Sequence, residues 1–182
     1  MFNLKTVFIG DGCCGKTSAI MTYTDKFPEL HVPTVFDNTS VQLMYDQRVI
    51  NLSVWDTAGQ SDYDRLRPLS YPGTDVVVMC FSLDSSTSLY NVTSKWHPEI
   101  LNFLPTTPII LVGMKSDLLE NKSRKIIEQK EIQAAMKLKN VKNYLECSAL
   151  KDYRIKDLFN SIVKLALNLP ETTGKRHRCT IL

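Results

Sequence analysis

The sequence lacks the features that would mark it as a membrane, secreted or nucleic-acid-binding protein. No apolar run approaches the roughly 18 residues that cross a bilayer as a helix. The first strand-like stretch opens at Leu4, so no signal peptide is expected. The five cysteines, Cys13, Cys14, Cys80, Cys147 and Cys179, form no C-x-x-C pair and no zinc spacing, and their number is odd. Cys13 and Cys14 are adjacent, where a disulfide would be strained, so a reducing compartment is expected. A net charge of +3 is too small to imply nucleic-acid binding. No internal repeat is present, and 182 residues with 43% hydrophobic content read as one domain with a full core.

What the chain does have is concentrated first in Lys5–Ser18, KTVFIGDGCCGKTS. An apolar run ends abruptly at Gly10, and the spacing Gly10-x-x-x-x-Gly15-Lys16-Thr17 leads into a stretch suited to the first turns of a helix. Strand, glycine-bounded loop and helix N-terminus in succession form a phosphate-binding P-loop. The backbone N–H groups of Gly12, Cys13, Cys14, Gly15, Lys16, Thr17 and Ser18 can point into one concavity, where the helix dipole adds positive charge. Lys16 can reach the β- and γ-phosphates of a nucleoside triphosphate, and the Thr17 hydroxyl can ligate Mg²⁺.

Strand-like and helix-like stretches alternate along the rest, which predicts an α/β domain with a mostly parallel sheet of six strands and about five helices. The expected order is a strand at Leu4–Ile9, a helix at Lys16–Thr24, a long loop over Asp25–Asn38, and a hairpin of Val41–Tyr45 and Val49–Trp55. Asp56–Pro72 reads as a loop with one helical turn. Asp75–Ser82 and Pro108–Gly113 are buried strands, with a helix at Thr87–Leu104 between them entered through Ser85 or Ser86. An exposed helix near Glu128–Lys139, a strand at Tyr144–Cys147 and a helix at Ile155–Leu167 complete a domain of residues 1–170. Residues 171–182 are expected to be a flexible tail.

Two further motifs stand at strand ends. Asp56-Thr57-Ala58-Gly59-Gln60 places a carboxylate where it can hold the Mg²⁺ shell through water. Gly113-Met114-Lys115-Ser116-Asp117 places Asp117 where it can accept two hydrogen bonds from the guanine N1 and N2 edge. Adenine offers no such donor pair, so this carboxylate would reject ATP. Glu146-Cys147-Ser148-Ala149 can supply a backbone N–H to the guanine O6.

These motifs in this order resemble the Ras superfamily of small GTPases from about residue 4 to 182, with its P-loop NTPase G-domain fold. Val32-Pro33-Thr34-Val35-Phe36-Asp37-Asn38 and Asp62–Pro72 resemble the Rho family within it. The resemblance implies a switch cycling between GDP and GTP, with Asp25–Asn38 as switch I and Gly59–Tyr71 as switch II. It implies that Thr34 binds Mg²⁺ and the γ-phosphate, that the Gly59 N–H holds the γ-phosphate, and that Gln60 orients the attacking water. Phe27 would cover the guanine edge-on, and the Lys115 stem would pack on its face. Any side chain at Gly12 would crowd Gln60 and an incoming arginine. Switch I holds no arginine, so slow intrinsic hydrolysis is expected, with roughly 10³–10⁵-fold acceleration from a partner's arginine.

The partners implied are exchange factors, GTPase-activating proteins, a Rho-type dissociation inhibitor and effectors, acting on a monomer and linked to the actin cytoskeleton. The final Cys179-Thr180-Ile181-Leu182 reads as a prenylation signal, with Leu favouring geranylgeranyl. With the basic run Lys175–Arg178 it makes a two-signal anchor, expected on the cytoplasmic face of the plasma membrane.

The chain also departs from the family pattern. Met114 replaces the Asn or Thr that ties the base-recognition loop to the P-loop, so weaker nucleotide retention is expected. Ser61 replaces a Glu that assists exchange factors, and His31 replaces a tyrosine that closes over the phosphates. The stretch from Asp117 to Ser148 is shorter than in typical Rho proteins, so their extra helical insert is expected to be missing or reduced to a turn. Two competing functions are a GTP-loaded binding module with negligible hydrolysis and a P-loop kinase or ATPase. Gly12, Thr34 and Gln60 argue against the first, Asp117 against the second.

Overall fold

The computed structural model describes residues 2–25, 27–28, 36–120, 127–168 and 180–181. One sheet runs through the molecule in the order β6-β5-β4-β1-β3-β2-β7. Its strands are β1 (Phe2–Gly10), β2 (Phe36–Tyr45), β3 (Arg48–Thr57), β4 (Val76–Ser82), β5 (Ile109–Met114), β6 (Val141–Cys147) and β7 (Thr180–Ile181). The six expected strands are all present, and β7 adds two residues from the expected tail, antiparallel to Leu43 and Met44 of β2.

The pairing follows from composition. β4 (VVVMCFS) and β5 (IILVGM) are apolar without alternation and buried throughout, as strands covered on both faces must be. They pair parallel with their neighbours. β2 and β3 are joined by the two-residue turn Asp46-Gln47, both at positive φ (48° and 61°), the backbone of a tight hairpin turn. That turn is one residue shorter than the sequence suggests, and β2 starts five residues earlier, because pairing with β3 extends its polar half.

Helices cover both faces. On one side α1 (Lys16–Thr24) and α5 (Ile155–Ala166) bury Ala19, Ile20, Leu158, Phe159 and Ile162 against Phe8, Val78 and Cys80 of the sheet. The Tyr23 and Phe159 rings stack there at 3.6 Å. The opposite face of the sheet, Val7, Ile9, Val77 and Met79, meets α2 (Ser86–Asn91), α3 (His97–Phe103) and α4 (Gln129–Met136).

The helix expected over Thr87–Leu104 is not uniform. A π-helical segment, Val92–Trp96, separates α2 from α3. Pro98 in the first turn of α3 explains the break, since proline removes an N–H and its ring crowds the carbonyl four residues earlier. Ser85 is the N-cap, accepting from Ser88 N–H at 3.2 Å. Asp56–Pro72 contains two short 3₁₀ turns, Ser61–Tyr63 and Arg67–Ser70, rather than one turn.

Strand order turns back at β1, with β4 on one side and β3 on the other. Ligands of open α/β sheets sit at such a point, outside the carboxyl ends of the strands.

Candidate functional site

β1 stops at Gly10 because the chain turns there with φ 145°, against β4. A Cβ on Gly10 would lie 2.1 Å from the Cys80 carbonyl oxygen, so only glycine fits. Gly15, φ 112°, ends the loop and hands the chain to α1. Lys16 is nearly buried and folds back over the loop, its Nζ donating to Gly10 O (2.9 Å) and Asp11 O (2.7 Å). Two of its three ammonium donors thus brace the loop.

The parallel register that sets Phe8 beside Asp56 brings the end of β3 alongside the P-loop. There Thr17 Oγ1 donates to Asp56 Oδ2 at 2.5 Å. The chain beyond β3 then crosses directly over the loop. A Cβ on Gly59 would lie 2.2 Å from Gly12 N and 2.4 Å from Gly10 O, so the two backbones touch.

At the other end β5 stops at Met114, and Lys115 (φ 62°) turns the chain into the 3₁₀ turn Ser116–Glu120 that carries Asp117. Ser148, fully buried, donates its hydroxyl to Asp117 Oδ1 at 2.5 Å. Its own backbone is clamped by two hydrogen bonds with Tyr153. Thr22 Oγ1 of α1 donates to Ala149 O at 3.3 Å, which ties this loop to the helix behind the P-loop.

Between these ends lies one cleft of about 290 Å³. Of the residues singled out from the sequence, Gly12, Cys13, Gly15, Lys16, Thr17, Ser18, Phe27, Gly59, Gln60, Lys115, Asp117 and Ala149 line it. Asp56 and Ser148 stand behind the wall, each holding a residue that lines it. Cys14 turns its side chain down into the core, 3.8 Å from Cys80 O, and burial pushes its thiol up against the opposing pull of Lys16. None of the four described cysteines is in a disulfide. Thr34, His31, the 175–178 basic run and Cys179 lie outside the described residues.

A Cβ on Gly12 would meet Gln60 Cγ at 3.9 Å, an ordinary contact distance, and the tightest backbone approach is at Gly59. One expectation is corrected. Met114 does tie the base-end loop to the P-loop: it is buried, and a Cβ on Gly15 would sit 3.4 Å from Met114 Cβ. The tie is apolar contact rather than a hydrogen bond. Met114→Asn is expected to slow GDP release about three- to tenfold, since a bridging amide contributes roughly 0.5–1.5 kcal/mol net. An off-rate unchanged in a fluorescent-nucleotide chase overturns this.

Sequence reasoning missed Asp11, whose carboxylate accepts from Trp96 Nε1 (2.7 Å) and Asn91 Nδ2 (2.8 Å). The signal was available: an acidic side chain inside a loop built for anions needs a partner elsewhere.

The arrangement offers an ammonium, helix-terminal N–H groups and a hydroxyl–carboxylate pair at one end, and a braced carboxylate at the other. That suits a phosphorylated nucleoside carrying an N–H donor edge. The sequence model of the Ras family matches residues 5–168. The chain is similar to the Ras-like GTP-binding protein RhoL of Drosophila melanogaster, 45% identical over 180 residues that cover 98% of this chain and 94% of that one.

Proposed function

Because this chain belongs to the Ras family and is a GTP hydrolase that cycles between bound GDP and GTP, we propose that it is a Rho-type, membrane-anchored molecular switch. The observation that carries this reading is the single cleft joining the P-loop, the Thr17–Asp56 pair, Gln60 and the Asp117–Ser148 pair. In it Asp117 reads the guanine edge, Lys16 and the loop N–H groups hold the phosphates, the Gly59 N–H meets the γ-phosphate, and Gln60 orients water.

Thr17 and Asp56 fit Mg²⁺, as a hydroxyl and a carboxylate are the hard oxygen donors that ion takes. Among the described residues no group of three His, Cys, Asp or Glu could hold a metal alone, which suits an ion that draws most of its shell from phosphate and water. Thr17 directly, Asp56 through water and Thr34 would hold it, and when bound it neutralises charge on the phosphates.

The Rho reading is supported by the similarity to RhoL and by residues 32–38 and 62–72. Trp55, Leu66 and Leu69 present an apolar groove beside switch II, where exchange factors, activating proteins, a dissociation inhibitor and effectors would dock. Only eight residues, 121–128, separate the 3₁₀ turn at Ser116–Glu120 from α4, which supports the absence of the Rho insert. Lipidated Cys179 with Lys175–Arg178 would hold the protein on the cytoplasmic face of the plasma membrane.

Single-turnover GTP hydrolysis tests the catalytic part. Gln60→Leu is expected to lower the rate about 10²–10³-fold with nucleotide affinity unchanged, the scale for losing one positioned polar group in a transition state. Equal rates for the two proteins would overturn the role of Gln60, and rates equally near the uncatalysed level would favour a GTP-loaded binding module.

A further inference from the structure

Asp11 opens onto a cluster that reaches from the P-loop to switch II through the second layer of helices. Its two partners, Asn91 and Trp96, come from the last residue of α2 and the last residue of the π-helical segment. π-helical turns are rare and gather at functional sites. This one brings the fully buried Trp96 under the P-loop with its indole N–H aimed at Asp11 Oδ1.

Two cations lie over the same indole: Arg67 Cζ at 4.6 Å and Lys95 Nζ at 4.5 Å from the ring centroid. Cations drawn to an indole face withdraw electron density and make the ring N–H a stronger donor. Arg67 itself is buried to 2% exposure in switch II. Its Nη1 donates to Ala58 O at 2.9 Å, while Nε and Nη2 donate to Glu99 of α3 at 2.9 and 3.2 Å. Ala58 is the residue before Gly59, whose backbone lies on Gly12 and Asp11. The contacts therefore close a ring: Asp11 to Trp96, Trp96 to Arg67, Arg67 to Ala58, and Gly59 back to the loop.

We propose that Trp96 and Arg67 are positioning residues for GTP hydrolysis, holding Ala58-Gly59-Gln60 at a fixed distance from the P-loop. The proposal rests on the reading of Gln60 as the residue that orients water. Trp96 does not line the cleft. It acts through the place it gives Asp11 on one side and, through Arg67, Ala58 on the other. A residue kept only to fill the core would need no donor aimed at the P-loop, and phenylalanine would fill most of the same volume.

Trp96→Phe separates the two roles, since it keeps an aromatic ring under the cations and removes the N–H. In single-turnover hydrolysis the rate constant is expected to fall about tenfold, while GDP affinity stays within about twofold. In a Gln60→Leu background the same change is expected to have no further effect, because both substitutions remove one positioned group. Arg67→Lys, which keeps the charge but loses the planar fork, gives a second reading with the same expected pattern should Trp96→Phe fold poorly.

An unchanged rate constant overturns the proposal. So does an equal fold loss with and without Gln60, or a loss of GDP affinity matching the loss of rate. A wild-type rate in Gln60→Leu alone would instead overturn the catalytic reading of Gln60, and the ratio of rate to affinity in the Trp96→Phe protein then decides the positioning role on its own.

Discussion

Asp117→Ala is expected to weaken GDP binding about 10²–10⁴-fold and to remove the preference for guanine over adenine nucleotides. A hydrogen bond to a charged group contributes roughly 1.5–3 kcal/mol, and the Asp117 carboxylate can accept two, from guanine N1–H and N2–H. The structure adds why it is effective. Ser148 donates to Oδ1, and Ser148 is itself clamped by Tyr153, so the carboxylate is held in one orientation. Alanine also strands the buried Ser148 hydroxyl, which accepts from Lys151 N–H at 3.2 Å but loses the acceptor for its own proton. Displacement of a fluorescent GDP by GTP and by ATP measures both effects. Retained GTP-over-ATP discrimination would show that another group reads the base.

Gly59→Ala is expected to lower GTP hydrolysis about 10²-fold while GDP affinity changes only a few-fold. The added Cβ would lie 2.2 Å from Gly12 N and 2.4 Å from both Asp11 C and Gly10 O. All three are backbone atoms, so no side-chain rotation relieves the clash and one loop must retreat. A displacement of about 1 Å at a reacting centre costs on the order of 10²-fold in rate. Nucleotide affinity survives because Thr17 and Asp117 hold their places through Asp56 and Ser148, away from the clash. Single-turnover hydrolysis beside a GDP titration checks the split. A wild-type rate would mean that the two backbones can separate without consequence.

The fold was legible because it is written in short-range terms. Apolar runs at Val76–Ser82 and Ile109–Met114 and the stripe Ile155, Leu158, Phe159, Ile162, Val163 declare strand and helix by period alone. The cleft was legible too, since each motif sits at a strand end and strand ends converge. What escaped is what depends on packing between distant segments. The π-helical segment needs Pro98 read together with a buried Trp96, and the partners of Asp11 lie 80 and 85 residues away. The contact of the Gly59 backbone with the P-loop could not be seen either, since it depends on which backbone crosses the loop. Met114 misled for a similar reason: its chemistry excludes a hydrogen bond, while its burial against Gly15 appears only in three dimensions.

Arg67 also sets an energy scale for the switch. Between Ser61 and Leu69 the chain holds short 3₁₀ turns, and Leu66 and Leu69 are among the most exposed large side chains of the protein. Lifting this segment would leave both apolar layers packed. What it must break is chiefly the contacts of Arg67, its ion pair with Glu99 and its stacking over Trp96, together with the Lys95–Asp64 pair. Leaving one partner of such a pair buried and unpaired costs about 3–5 kcal/mol, so an opening that carries Arg67 into water costs at most that much and is local opening rather than unfolding. One guanidinium thus fixes how much binding energy a partner must supply to pry switch II away from the third helix.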